Sequence, residues 1–181
     1  MTYRLPSIIL EQQITLYPHK DTNNNWIIQK GDGSIPSSLE YVKNGDVIRL
    51  VHVPTFKKLH SHDKKAPVTE DENHFEVSGY GSKEFAGDAN DEWKVEIMDF
   101  DGRDKKAGES MHTLRSKFKL VHTNMACDLF SHSVKLPKWG FEQQEVTCMR
   151  SAVQAKATWM VESNDYEHCK CRCRTFLVLS I

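Results

Sequence analysis

His60 and His62 stand one residue apart in "KKLHSHDKK", residues 57–65. Two imidazoles at that spacing suit metal ligation, base catalysis beside a nucleophile, or hydrogen bonding to a polar ligand or a turn. On a strand, residues two apart share a face, so His60 and His62 point one way and Leu59 and Ser61 the other. Ser61 is then on the wrong side to be a nucleophile served by either imidazole. Zinc would need further ligands, and neither a nearby cysteine nor a third histidine recurs around the pair. A scaffold role and a polar-ligand role remain.

The other reactive residues point to less. Cys127 and Cys148 lie apart, while Cys169, Cys171 and Cys173 crowd into "CKCRC". An odd count without regular spacing does not describe a disulfide framework, and C-x-C-x-C lacks the two-residue gaps of zinc ribbons. All five read as thiols without a structural role, and no metal is expected. Asp99-Phe100-Asp101-Gly102 opens like a calcium loop but lacks the closing glutamate, so it reads as a turn.

The elements that must position the histidines emerge from self-similarity. "DVIRLVHVPTFKKLHSHDKKAPV", from Asp46, aligns with "SKFKLVHTNMACDLFSHSVKLPK", from Ser116, and both His52/His122 and His62/His132 are 70 residues apart (52 to 122, 62 to 132). A second pattern occurs three times. It ends at Trp26, Trp93 and Trp159, 67 and 66 residues apart (26 to 93, 93 to 159). Each copy carries an alternating triplet, Ile14-Thr15-Leu16, Val77-Ser78-Gly79 or Val146-Thr147-Cys148, then a polar turn, the tryptophan and more alternation.

Period-2 alternation broken by "KDTNNN", "KNGD", "GDAND" and "DFDGRD" predicts short half-buried strands. "ESMHTLRSKFKL" is the best helix candidate, yet its Phe118-Lys119-Leu120 end fits a strand better. Three units of about four strands each predict an all-β, β-trefoil fold, closed so that few edges stay exposed. The recurring tryptophans are expected in its core. The 24 Lys+Arg and 25 Asp+Glu nearly cancel, which argues against a nucleic-acid partner. "SIIL" and "FLVLSI" are far shorter than a membrane span, and no secretory signal is readable at the start.

"LHSH", its variant "LFSH", "TLYPHKDTNNNW", "GDANDEW" and above all "KLPKWGFEQQEVTC" together resemble the MIR domain of eukaryotic protein O-mannosyltransferases, in the branch that includes the second fungal and animal enzyme types. The resemblance runs from about Ile9 to about Ser163. It implies a lumenal module of the endoplasmic reticulum, set between transmembrane helices of an enzyme that moves mannose from dolichyl-phosphate-mannose to Ser or Thr. The catalytic acidic residues of that family have no counterpart here, so this stretch alone is expected to be non-catalytic and to need no cofactor. Expected partners are acceptor polypeptide or O-mannosyl glycan, and the transmembrane part or dimer partner of such an enzyme. The alternative is a spacer or docking domain without a ligand.

Residues 11–163 are assigned to the trefoil, 1–10 to a divergent start and 164–181 to a divergent tail. The first unit lacks its opening half, and both ends read as those of a truncated or re-spliced product. "TFLVLSI" alternates well enough to fill the gap as a strand, although an unstructured tail is the plainer reading. Like other carbohydrate-binding trefoils, the second unit is expected to offer a site lined by Leu59, His60, His62, Tyr80, Asp88, Asn90 and Asp91. The third would use Phe130, Ser131, His132, Gln144 and Glu145, for a valency of two at most. His62 and His132 recur, which suits holding each hairpin; His60, replaced by Phe130, suits specificity. His52 is expected at the rim, and Arg49 facing solvent.

Overall fold

A computed structural model describes residues 11–36, 40–98, 106–111, 116–167 and 174–180, with side chains described through Val161. The Asp99–Gly102 turn, the "CKCRC" cysteines and residues 1–10 lie outside the described residues. The described residues form twelve strands: β1 Gln12–Gln13, β2 Thr15–Leu16, β3 Asn25–Lys30, β4 Val47–His52, β5 Lys58–Lys65, β6 His74–Tyr80, β7 Trp93–Met98, β8 Lys117–His122, β9 Asp128–Lys135, β10 Gln144–Met149, β11 Trp159–Glu167 and β12 Arg174–Ser180. Single 3₁₀ turns sit at Thr22–Asn24, Ala89–Asp91, Lys138–Gly140 and Gln154–Lys156, and the described residues contain no α-helix. The fold is all-β, as the alternation predicts. In β7 Trp93, Val95 and Ile97 point inward, with Lys94 and Glu96 outward between them.

Antiparallel pairings close a ring: β3 with β4, β4 with β7, β7 with β8, β8 with β11, β11 with β12, and β12 back to β3. The closing member is β12. The segment read more plainly as an unstructured tail is thus a strand, with Leu177 opposite Trp26 and Asn164. Two open edges, on β3 and β11, gain backbone partners that they would otherwise lack.

The remaining strands lie beside the ring. There one register recurs three times: Gln12 faces Gly79, Phe75 faces Cys148, and Gln144 faces Leu16. One step along, Gln13 faces Ser78, Glu76 faces Thr147, and Glu145 faces Thr15. β5 and β9 complete hairpins with β6 and β10. Trp26, Trp93 and Trp159 are all buried, together with Leu50, Leu59, Val77, Phe118, Leu129 and Val146.

Candidate functional site

The turn that enters each hairpin is built around a buried histidine. Between β4 and β5, and between β8 and β9, the chain closes on hydrogen bonds from His52 N to Lys57 O and from His122 N to Cys127 O, each 2.8 Å. Phe56 and Ala126 take the left-handed conformation, φ 58° and 49°, at equivalent places. His52 Nε2 lies 2.9 Å from Asn23 O, and His122 Nε2 2.9 Å from Asn90 O. A carbonyl only accepts, so Nε2 carries the proton in both rings. Nδ1 then accepts, from Thr55 Oγ1 at 2.8 Å and from the Met125 amide at 3.2 Å respectively. Burial pulls both imidazoles below the ordinary histidine value, and the carbonyl bonds oppose it only in part. His52 is therefore a buried lock between units, not a rim group.

Within each hairpin, the repeated histidine meets a repeated glutamate. His62 Nε2 donates to Glu76 Oε2 at 3.1 Å, and His132 Nε2 lies 3.3 Å from Glu145 Oε2. Ser61 and Ser131 send their hydroxyls the other way, to the carbonyls of Glu76 and Glu145. The two carboxylates differ in setting. Glu76 is partly exposed, whereas Glu145 is fully buried and also takes the amides of Val68 (3.0 Å) and Thr69 (3.2 Å) and the Thr69 hydroxyl (2.7 Å). Glu145 fastens the 68–69 loop of one hairpin onto the next.

His60 is also enclosed. Its Nδ1 donates to Asp91 Oδ1 at 2.8 Å, both side chains being at most 5% exposed, and its ring stacks on Tyr80 at 4.7 Å. Asp91 uses Oδ2 to accept the Asp88 amide, and Asp88 accepts that of Asn90, a reciprocal capping box at the start of the 88–91 turn. In the third unit the same two places hold Phe130 and Ala157, both buried. A polar pair has been exchanged for an apolar one.

These contacts correct the expected lining. Leu59, His60 and Asp91 in the second unit, and Phe130, Ser131 and Glu145 in the third, are buried, because hairpin packing turns them inward. Asp88 and Gln144 are exposed, and His62, Tyr80, Asn90 and His132 half-buried. Arg49 is another correction. It is 8% exposed, donates to Ala86 O at 3.1 Å and pairs with Glu92 at 2.8 Å, because the 81–92 loop folds over it. Lys58 is buried beside it and donates to Phe85 O; burial lowers its pKa, and nearby Asp91 opposes that shift.

The reading of Cys127 and Cys148 as thiols is overturned as well: they form a disulfide, with Cα atoms 5.3 Å apart. The hairpin sets Cys148 beside Leu129, two residues past Cys127, so pairing strands brings together two cysteines 21 residues apart. Carboxylates also gather where only cysteine and histidine were sought. Glu11 and Glu76 approach His62, and Asp88 and Asp91 approach His60, one ligand atom from each lying within 4.8 Å of the others. The second set is already spent on hydrogen bonds within itself and to backbone amides.

A larger concavity lies elsewhere. A groove of about 1550 Å³ runs between Gln12–Lys20 and the 131–144 segment. Its walls include Tyr17, Trp139 and Phe141, the last 83% exposed, and its floor and sides offer Gln12, Asp21, Asn24, His132, Gln143 and Gln144. Phe141 and Glu142 adopt φ 56°, which turns the aromatic ring outward from the 138–140 turn. Sequence reasoning noticed "KLPKWGF" only as a family string; two aromatics in a polar loop were the available signal.

The comparisons with known proteins agree with this architecture. The family model described as MIR domain matches residues 6–161. Dolichyl-phosphate-mannose--protein mannosyltransferase 1 of Saccharomyces cerevisiae is 44% identical over 166 residues, covering 90% of this chain and 20% of the relative. Protein O-mannosyl-transferase 2 of Drosophila melanogaster is 40% identical over 159 residues, 87% of this chain and 20% of the relative. The chain thus spans about a fifth of the curated relatives it matches. Among solved structures, the S. cerevisiae Pmt1-Pmt2 complex bound to the sugar donor superposes with a TM-score of 0.73 at 40% identity, over 93% of this chain and 23% of that one. An SDF2-like protein from Arabidopsis thaliana gives 0.69 at 30% identity, over 83% of this chain and 76% of that one. With a family match across most of its length and an all-β fold shared with these structures, the chain belongs to the MIR domain family.

Proposed function

We propose that this chain is a non-catalytic, β-trefoil MIR module of a protein O-mannosyltransferase, and that it holds acceptor polypeptide or O-mannosyl glycan at the groove beside Trp139 and Phe141. The threefold recurrence of the Gln12–Gly79 register supports the trefoil, with β12 standing in for the opening strand of the first unit. The observation that carries the binding reading is the groove itself. Exposed aromatic faces stack on the apolar faces of sugars or peptides, while the amide, carboxylate and imidazole groups match hydroxyls and backbone. Relatives are named for mannosyl transfer to protein, and such a module would keep mannosylated substrate near that chemistry. The Cys127–Cys148 disulfide suits an oxidising compartment such as the lumen of the endoplasmic reticulum.

Titration of the ¹⁵N-labelled chain with methyl mannoside and with a mannosylated Ser/Thr peptide should shift Trp139 and Phe141 resonances at millimolar ligand. No shift with either ligand would refute the reading. A spacer or docking role is the second reading, and the internally satisfied His60, His62 and His132 favour it. Full activity of a whole transferase carrying Trp139→Ala and Phe141→Ala would support that alternative.

A further inference from the structure

The recurring register makes further residues equivalent. Gln13, Glu76 and Glu145 form one set, and Ser78, Thr147 and Thr15 another. One residue before Gln12, Phe75 and Gln144 stand Glu11, His74 and Gln143. At the third unit's hairpin this place closes on protein groups. His74 Nδ1 meets Thr147 Oγ1 at 3.0 Å, its ring lies 5.3 Å from that of His132, and Glu145 is taken up by the 68–69 loop. In the first unit the Thr15 hydroxyl donates to Gln143 Oε1. The second unit's hairpin puts Glu11, His62 and Glu76 at the three places that hold His74, His132 and Glu145 in the third.

One ligand atom from each of Glu11, His62 and Glu76 lies within 4.8 Å of the other two, and His62 Nε2 is 3.1 Å from Glu76 Oε2. Ligands about 2.0–2.2 Å from a tetrahedral zinc stand roughly 3.4 Å apart, so rotation of the Glu11 side chain is enough to gather the set. A second observation points to the same place. Ser78 is 2% exposed, and its Oγ is a buried polar atom with no hydrogen-bond partner among the described residues. It sits two residues from Glu76, on the same face of β6. Its counterparts Thr147 and Thr15 each reach the residue equivalent to Glu11, so the Ser78 hydroxyl aims at Glu11 and the cluster. A buried hydroxyl left unmet costs free energy, and hydroxyls placed behind a carboxylate commonly orient it toward a metal.

We propose that Glu11, His62 and Glu76 bind one zinc ion. Two carboxylates this close repel unless a cation lies between them, and an imidazole beside them favours zinc over calcium or magnesium, which take oxygen ligands. The ion replaces the hydrogen bond between His62 and Glu76. The ring then carries its proton on Nδ1 and offers the Nε2 lone pair to the metal. Glu11 gives one oxygen to the ion and accepts the Ser78 hydroxyl on the other, and water completes the fourth position. Bound zinc would fasten the segment before β1 to the β5–β6 hairpin, as Glu145 fastens the 68–69 loop to the next one. None of the three ligands lines the groove, so the inference stands apart from the groove's binding role.

The test uses the whole ¹⁵N-labelled chain, its free thiols blocked with iodoacetamide so that "CKCRC" cannot take the metal, and zinc chloride as the probe. Long-range ¹H–¹⁵N spectra of the imidazoles should show a saturable displacement of His62 Nε2 with His132 unmoved. Calorimetry should give one zinc per chain, and the melting temperature should rise with zinc because only the folded chain assembles the site. Ser78→Ala should weaken zinc binding by about tenfold, and Glu11→Gln and Glu76→Gln by more than that. Asp88→Asn, in the other carboxylate cluster, should leave it unchanged. A His62 Nε2 resonance that ignores zinc overturns the proposal, and that measurement needs no variant. Equal zinc affinity in the parent, Glu11→Gln and Glu76→Gln chains also overturns it, marking adventitious binding at another histidine such as the exposed His19. So does displacement of zinc by an equal concentration of calcium or magnesium.

Discussion

Glu76 and Glu145 occupy equivalent places opposite equivalent histidines, yet truncating them should cost very different amounts. Glu145→Ala leaves the Val68 and Thr69 amides facing an apolar methyl where a fully buried carboxylate stood, and strips His132 of its acceptor. Each buried donor left unmet costs about 1–3 kcal/mol, and the two amides and His132 Nε2 all lose their acceptor, the contributions not being additive. We expect about 4 kcal/mol. At about 2–4 °C per kcal/mol for a domain of this size, the melting temperature should fall by roughly 10 °C. Glu76→Ala removes one partner from the partly exposed His62, and a solvent-screened pair of that kind is worth about 0–1 kcal/mol. Urea titrations followed by tryptophan fluorescence would measure both, with unchanged m-values as the check that the same transition is compared. Equal losses, or a Glu145→Ala loss below about 1 kcal/mol, would refute the claim that Glu145 clamps the 68–69 loop.

Three further outcomes are expected. Asp91→Ala alone should destabilise by about 3–5 kcal/mol, while His60→Phe with Asp91→Ala, which copies Phe130 and Ala157, should recover most of it, as measured by the same titrations. Burial depresses His52, His74 and His122 in the folded chain, so as pH falls through the ordinary histidine value near 6.5 the unfolded chain takes up protons that the folded chain refuses. Stability from these groups is fully present above 6.5 and declines as pH drops from there toward the folded values. The urea midpoint of a His52→Gln/His122→Gln variant should depend less on pH between 7.5 and 5.5 than that of the parent; an equal slope would contradict the neutral locks. Deleting 175–181 removes most of β12, reopens the edges of β3 and β11, and should lower both solubility and melting temperature.

Much of this fold was legible because repeats constrain one another. The alternation around Trp26, Trp93 and Trp159 marks strands, and equal spacing marks equivalent core positions, whatever the distant partners are. The same logic reached the likeness of His62 to His132, whereas the family was reached through the resemblance of strings such as "KLPKWGFEQQEVTC". What the sequence could not determine is which groups meet across units. Glu145 is claimed by amides some 76 residues away, Arg49 by a loop that folds over it, and Cys148 by a cysteine that pairing with Leu129 carries alongside. Burial also reversed the reading of Leu59, His60, Asp91, Phe130, Ser131 and Glu145 as an open lining, since period-2 alternation assigns a face but not what covers it. Local pattern, with its short-range steric and hydrophobic causes, determined the strands and their repetition. Closure of the ring by β12, the histidine locks and the groove beside Phe141 were decided by tertiary structure, because they depend on contacts between segments whose separation along the chain carries no local signal.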